Sequence, residues 1–109
     1  LSGDGHAFRA ANLRSRSADS ASPVVASEFI TTSITSQGVA NKLAGHIRAE
    51  NPDLLYGDAS RRGYLRLELT PGQLEARMVG FDSVATADAP GRVVRTFVVE
   101  SGRPGPRPA

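Results

Sequence analysis

GYLRLELTPGQLEARMVGF, residues 63–81, decides how the rest of the chain is read. Leu65, Leu67 and Leu69 fall on one side of an extended backbone, and Tyr64, Arg66 and Glu68 on the other, because successive side chains of a strand point to opposite faces. Thr70-Pro71-Gly72-Gln73 then supplies a proline that pre-sets φ and a glycine open to conformations denied other residues, the chemistry of a tight reversal. Residues 74–81 alternate again, Leu74, Ala76 and Met78 against Glu75, Arg77 and Val79, with Gly80 as the expected place of a bulge. The stretch reads as an antiparallel hairpin with one apolar and one solvated face. Such a sheet needs a second layer over its apolar side.

Outward from the hairpin, residues 82–92 (DSVATADAPGR) read as a loop and residues 93–100 (VVRTFVVE) as a strand apolar on both sides, hence central or covered. Residues 101–109 (SGRPGPRPA) read as a flexible tail rich in proline and glycine. Toward the N-terminus, residues 24–30 (VVASEFI) follow Pro23 and carry the β-branched, apolar composition of a strand. The TTSITSQG that follows predicts a strand end, a turn and a helix cap at Ser33 or Ser36. From Gly38 the period changes: Val39, Leu43 and Ile47 recur with Ala40 and Ala44 beside them, predicting an amphipathic helix that stops at Asn51-Pro52. Residues 7–14 are expected as a short helix or irregular loop, and residues 15–23 as a surface loop. The expected class is therefore α+β, mainly antiparallel strands with one amphipathic helix. The covering sheet is expected to come from chain outside these residues.

A length of 109 residues suits a single domain. Hydrophobic content of 39% and charged content of 22% set the chain apart from disordered compositions. The net charge is +2, and the basic residues are scattered rather than striped along one face, which argues against a nucleic-acid scaffold. No cysteine is present to form a disulfide or a thiolate ligand. No apolar run approaches the length of a membrane span.

Gly3-Asp4-Gly5-His6 is the stretch with chemistry in it. An aspartate and a histidine two apart on a glycine-flanked turn can direct a carboxylate oxygen and an imidazole nitrogen at one point, half of a metal site. Two donors do not hold a catalytic metal, and the motif stands close to Leu1. We therefore expect a segment of a longer enzyme, whose earlier loops supply the remaining ligands. Elsewhere, His46 is expected on the helix with no role, and Arg61 and Arg62 are expected to be solvated, although either could reach a phosphate. Thr31, Thr32, Ser33, Thr35 and Ser36 invite a nucleophile reading, but no Gly-x-Ser-x-Gly elbow occurs, and capping of the strand end accounts for them better.

GDGHAF at 3–8, EFITTSITSQG at 28–38, NPDLLYGDASRRGYLRLELTP at 51–71 and RTFVVESGRPG at 95–105, in this order, resemble the C-terminal end of the PhoD-like phosphatases, the alkaline phosphatase D family. The Glu28 to Ser36 run and the Arg62-Gly63-Tyr64 that opens the hairpin are the most specific parts. The resemblance implies a calcineurin-like metallophosphoesterase, in which residues 1–100 would form the C-terminal part of a two-sheet catalytic sandwich. It implies hydrolysis of phosphate mono- or diesters by metal-activated hydroxide, with Asp4 and His6 as metal ligands, iron and calcium as the metals, and export from the cell. The partners so implied are a phosphate ester substrate and the N-terminal part of the same chain, without which the segment is expected to be inactive. Arg9-Ala10-Ala11-Asn12-Leu13 stands where members often show an aromatic residue and Asn-Asp-Leu, and Asn51-Pro52-Asp53 where they show Asn-Pro-His, departures that bear on substrate preference. The alternative from a different class is a small non-enzymatic β-rich module that binds protein through its hairpin sheet.

Overall fold

The structure, a computed structural model, describes residues 1–37 and 49–109. Its seven strands are β1 (Phe8–Arg14), β2 (Val24–Ile30), β3 (Leu54–Asp58), β4 (Arg62–Leu69), β5 (Gln73–Phe81), β6 (Gly91–Glu100) and β7 (Arg103–Pro108). They form two antiparallel sheets, one ordered β2-β1-β3 and the other β4-β5-β6-β7. The hairpin forms as its alternation predicts: β4 and β5 pair in unbroken register from Arg62 opposite Phe81 to Leu69 opposite Leu74. The reversal closes with the Thr70 amide donating to the Gln73 carbonyl at 2.9 Å. Its register shift against β6 falls between Met78 and Val79, just before the Gly80 expected to mark it.

Phe8 and Ala10 of β1 and Phe29 of β2 meet Ala76 and Met78 of β5 and Phe97 of β6 in one buried cluster, so the two sheets pack face to face. Phe97 is the hub, its ring lying 6.2 Å from that of Phe29 and 6.1 Å from that of Tyr56 at tilted angles favoured by aromatic pairs. The β6 strand lies between β5 and β7, which agrees with its two apolar faces. No helix among the described residues is long and apolar enough to cross a membrane.

The α+β expectation is corrected to all-β: every element among the described residues is a strand, and only Ala49 and Glu50 are helical. The expected amphipathic helix otherwise falls on residues 38–48, as does His46, and these lie outside the described residues. A second correction concerns the covering layer. The chain supplies both sheets itself, because residues 7–14 are not a helix or loop but contain the central strand of the smaller sheet. Its FRAANLR sequence lacks β-branched residues, and burial between β2 and β3 outweighs that weak propensity.

The expected loose tail is β7. Ser101-Gly102 closes a tight hairpin with Glu100 opposite Arg103, and Gly102 takes a φ of 76°. Ala109 donates its amide to the Thr96 carbonyl, so Pro108, paired with Phe97, places its nitrogen away from β6. Pro108 therefore occupies a position of an edge strand that owes no hydrogen bond to the ladder.

Candidate functional site

Three loops meet at one end of the sandwich: residues 3–7 before β1, residues 31–37 after β2, and residues 59–61 between β3 and β4. The first is fastened to the end of β2, since Ser2 donates its amide to the Phe29 carbonyl at 3.1 Å and accepts from the Thr31 amide at 3.0 Å. Within it, Asp4 and His6 take φ values of 67° and 50°, the only positive φ angles at non-glycine residues among those described. An L-residue reaches that left-handed region at a cost, and such strain persists where surrounding contacts over-determine it. The two residues singled out from sequence are thus the two whose backbone is strained.

The Asp4 side chain is exposed and makes no hydrogen bond or ion pair among the described residues. Its carboxylate is available to a cation. His6 is half-buried, and its Nδ1 lies 2.7 Å from the Gln37 carbonyl oxygen. A carbonyl can only accept, so Nδ1 carries a proton, and in the neutral imidazole Nε2 then keeps its lone pair. This is the orienting contact that metal-binding imidazoles use. Asp4 and His6 are the only acid and imidazole side chains on this turn, and no group of three or more metal-donor side chains occurs among the described residues.

Arg62, expected to be solvated, is 8% exposed. Its Nη1 donates to Ser33 Oγ at 2.5 Å and to the Ser36 carbonyl at 2.6 Å, and its Nη2 to the Ala59 carbonyl at 2.6 Å and the His6 carbonyl at 3.3 Å. No carboxylate pairs with it among the described residues. Arg61 turns the other way, bridging Asp58 at 2.6 Å and Asp82 at 3.0 Å. Burial alone would raise the Asp58 carboxyl, but hydrogen bonds from the Ser60 hydroxyl and amide and from Arg61 outweigh it and hold the group below the ordinary carboxylate range. Burial, and then the neighbouring Asp58 charge, raise the Tyr56 phenol. The hydroxyl run behaves as strand-end and loop chemistry: Thr32 Oγ1 donates to the Arg61 carbonyl at 2.9 Å, and the Ser33 hydroxyl donates to the Ser36 carbonyl.

The Arg62-Gly63-Tyr64 run acquires a physical reading residue by residue. Arg62 gathers the three loops, while Gly63 sits where a Cβ would lie 2.0 Å from the Val79 carbonyl oxygen. The Tyr64 ring lies 6.5 Å from that of Phe81 at a tilted angle. Asp53, standing in the Asn-Pro-Asp departure, is engaged by Arg14 Nε at 2.9 Å and 3.0 Å. Sequence reasoning missed Arg62 as the organiser of the loops. The available signal was the Arg62-Gly63-Tyr64 run itself, already among the most specific parts of the sequence.

A family model described as PhoD-like phosphatase matches residues 1–78. Among solved structures, the one titled "Structure of PhoD" matches with a TM-score of 0.83 at 28% identity, over 98% of this chain and 21% of that chain. The chain thus spans about 21% of the length of that solved protein. Comparison with curated proteins gives no match. The family match runs through the strained turn, the hydroxyl run and the Arg-Gly-Tyr opening of the hairpin, and the structural match extends the likeness through β6 and β7; the chain belongs to the PhoD-like phosphatase family.

Proposed function

We propose that these residues form the C-terminal part of a metal-dependent phosphoric ester hydrolase and contribute Asp4 and His6 to its metal centre. The observation that carries this reading is the turn itself: an exposed carboxylate with no partner among the described residues and an imidazole held through Nδ1, both on left-handed backbone, in a chain of the PhoD-like phosphatase family. A carboxylate with an imidazole suits a first-row ion such as iron better than calcium, which prefers oxygen donors throughout. A metal bound there supplies Lewis-acid activation of water and neutralises charge on the phosphoryl oxygens. The chain's own contribution is to hold the donors. Asp4 adds negative charge, His6 presents Nε2 with its tautomer set by the Gln37 carbonyl, and the Ser2 bonds fasten the turn to β2. The substrate is a phosphate mono- or diester.

Two donors make an incomplete set, so the remaining ligands belong to other parts of the same polypeptide, and residues 1–109 alone are inactive. The test is hydrolysis of a chromogenic phosphate ester with and without a chelator. The complete phosphatase is expected to turn over and to lose activity on chelation, whereas residues 1–109 are expected to release no product. Metal-dependent turnover by residues 1–109 would refute the shared centre, and chelator-insensitive turnover by the complete enzyme would refute the metal reading.

A further inference from the structure

We infer that Arg62 is a positioning residue for the metal centre: its guanidinium holds the Asp4–His6 turn in its strained conformation and fixes the proton of His6 on Nδ1. The inference rests on the proposal that this turn binds metal, and it adds a residue that touches neither metal nor substrate.

Burying a guanidinium is costly unless its donors are satisfied. Arg62 meets that cost with three main-chain carbonyls and one hydroxyl, one acceptor set in each of the three loops. It holds the His6 carbonyl directly. It also holds the Ser36 carbonyl, next in sequence to Gln37, whose own carbonyl accepts the proton of His6 Nδ1. One planar group therefore fixes both the backbone of His6 and the loop that orients its ring. Left-handed backbone at Asp4 and His6 calls for such external restraint. The shape of the group matters as much as its charge, because a lysine ammonium is a compact donor that cannot span acceptors held by separate Nη atoms.

The experiment uses the complete phosphatase with R62A and R62K, compared with H6A and with T32V. T32V removes the nearby Thr32 bond to the Arg61 carbonyl without touching the His6 turn. Iron affinity is measured by competition with a chelator, and the His6 tautomer by 15N NMR of histidine-labelled protein. R62A and R62K are expected to weaken iron binding by about 10-fold or more, the usual effect of removing a contact that orients a ligand, and to shift His6 away from the Nδ1–H form. T32V is expected to stay within about 2-fold of the wild type and to keep that form. Wild-type affinity and tautomer in a folded R62K protein would overturn the inference while H6A still loses iron. If H6A binds iron normally, the metal reading fails, and the tautomer still decides whether Arg62 positions the ring. If R62A fails to fold, R62K carries the same comparison. T32V losses equal to those of R62K would assign both to general destabilisation and overturn the inference.

Discussion

The φ of 67° at Asp4 and 50° at His6 sit on a turn whose neighbours are glycines, so local chain flexibility does not by itself select that geometry. Contacts from β2, from Gln37 and from Arg62 do. At this scale the most exposed dependence is Gly63, where any Cβ meets the Val79 carbonyl oxygen and the opposite Gly80 backbone. We expect G63A to cost about 1–3 kcal/mol in denaturant unfolding, as overpacked sites do, because rigid backbone rather than a flexible side chain must yield. Wild-type stability in G63A would show that β4 and β5 are less closely apposed than described. Asp58 makes a second prediction, through pH. Its folded carboxyl lies below its unfolded value of about 3.9, so its stabilisation is present above that value and is lost as pH falls through the folded one. D58N is expected to lower the thermal midpoint near neutrality and to flatten its decline in acid; an unchanged acid slope would remove Asp58 from the account.

Among the elements, β7 best shows what packing adds to local propensity. Truncation after Glu100 is expected to lower the thermal midpoint and promote aggregation, because β6 would become an edge strand and Phe97 would lose Pro108 as its neighbour. Light scattering and thermal unfolding of the truncated chain check this; unchanged behaviour in both would mean that β7 is dispensable. The same strand marks where the sequence stops being legible. Strands β2, β4, β5 and β6 could be read because each carries alternation or β-branched residues within its own span. By contrast β1, built on Phe8, Ala10 and Asn12, is a strand because β2 and β3 pair with it on either side, and the proline-rich β7 because it pairs with β6. Missing β1 removed a layer from the expected architecture and made a two-sheet unit look like half of one. The Asp4–His6 motif was legible because glycines flank it. Its supports were not, since Gln37, Ser36 and Ala59 act through main-chain carbonyls, which carry no residue signature.

Across the whole molecule, Phe97 joins the sheets by meeting Phe29 and Tyr56 from the opposite layer. F97A is expected to cost about 3–5 kcal/mol and to separate the layers cooperatively in urea; a loss well below 1 kcal/mol would mean that the sheets do not share one core. That shared core matters for function because Arg62 stands on β4 of the larger sheet while the loops it holds adjoin β1, β2 and β3 of the smaller one, so their geometry survives only while the layers stay in register. On the proposed reading, a chain spanning 21% of the solved PhoD protein would serve as one wall of a larger centre and bring two of its donors. The central claim is that Asp4 and His6 bind the catalytic metal of the complete phosphatase. Metal content measured alongside turnover of a chromogenic phosphate ester in the D4A/H6A double variant tests it most directly: we predict that metal and activity fall together while the fold is kept, and retention of both at wild-type levels would contradict the claim.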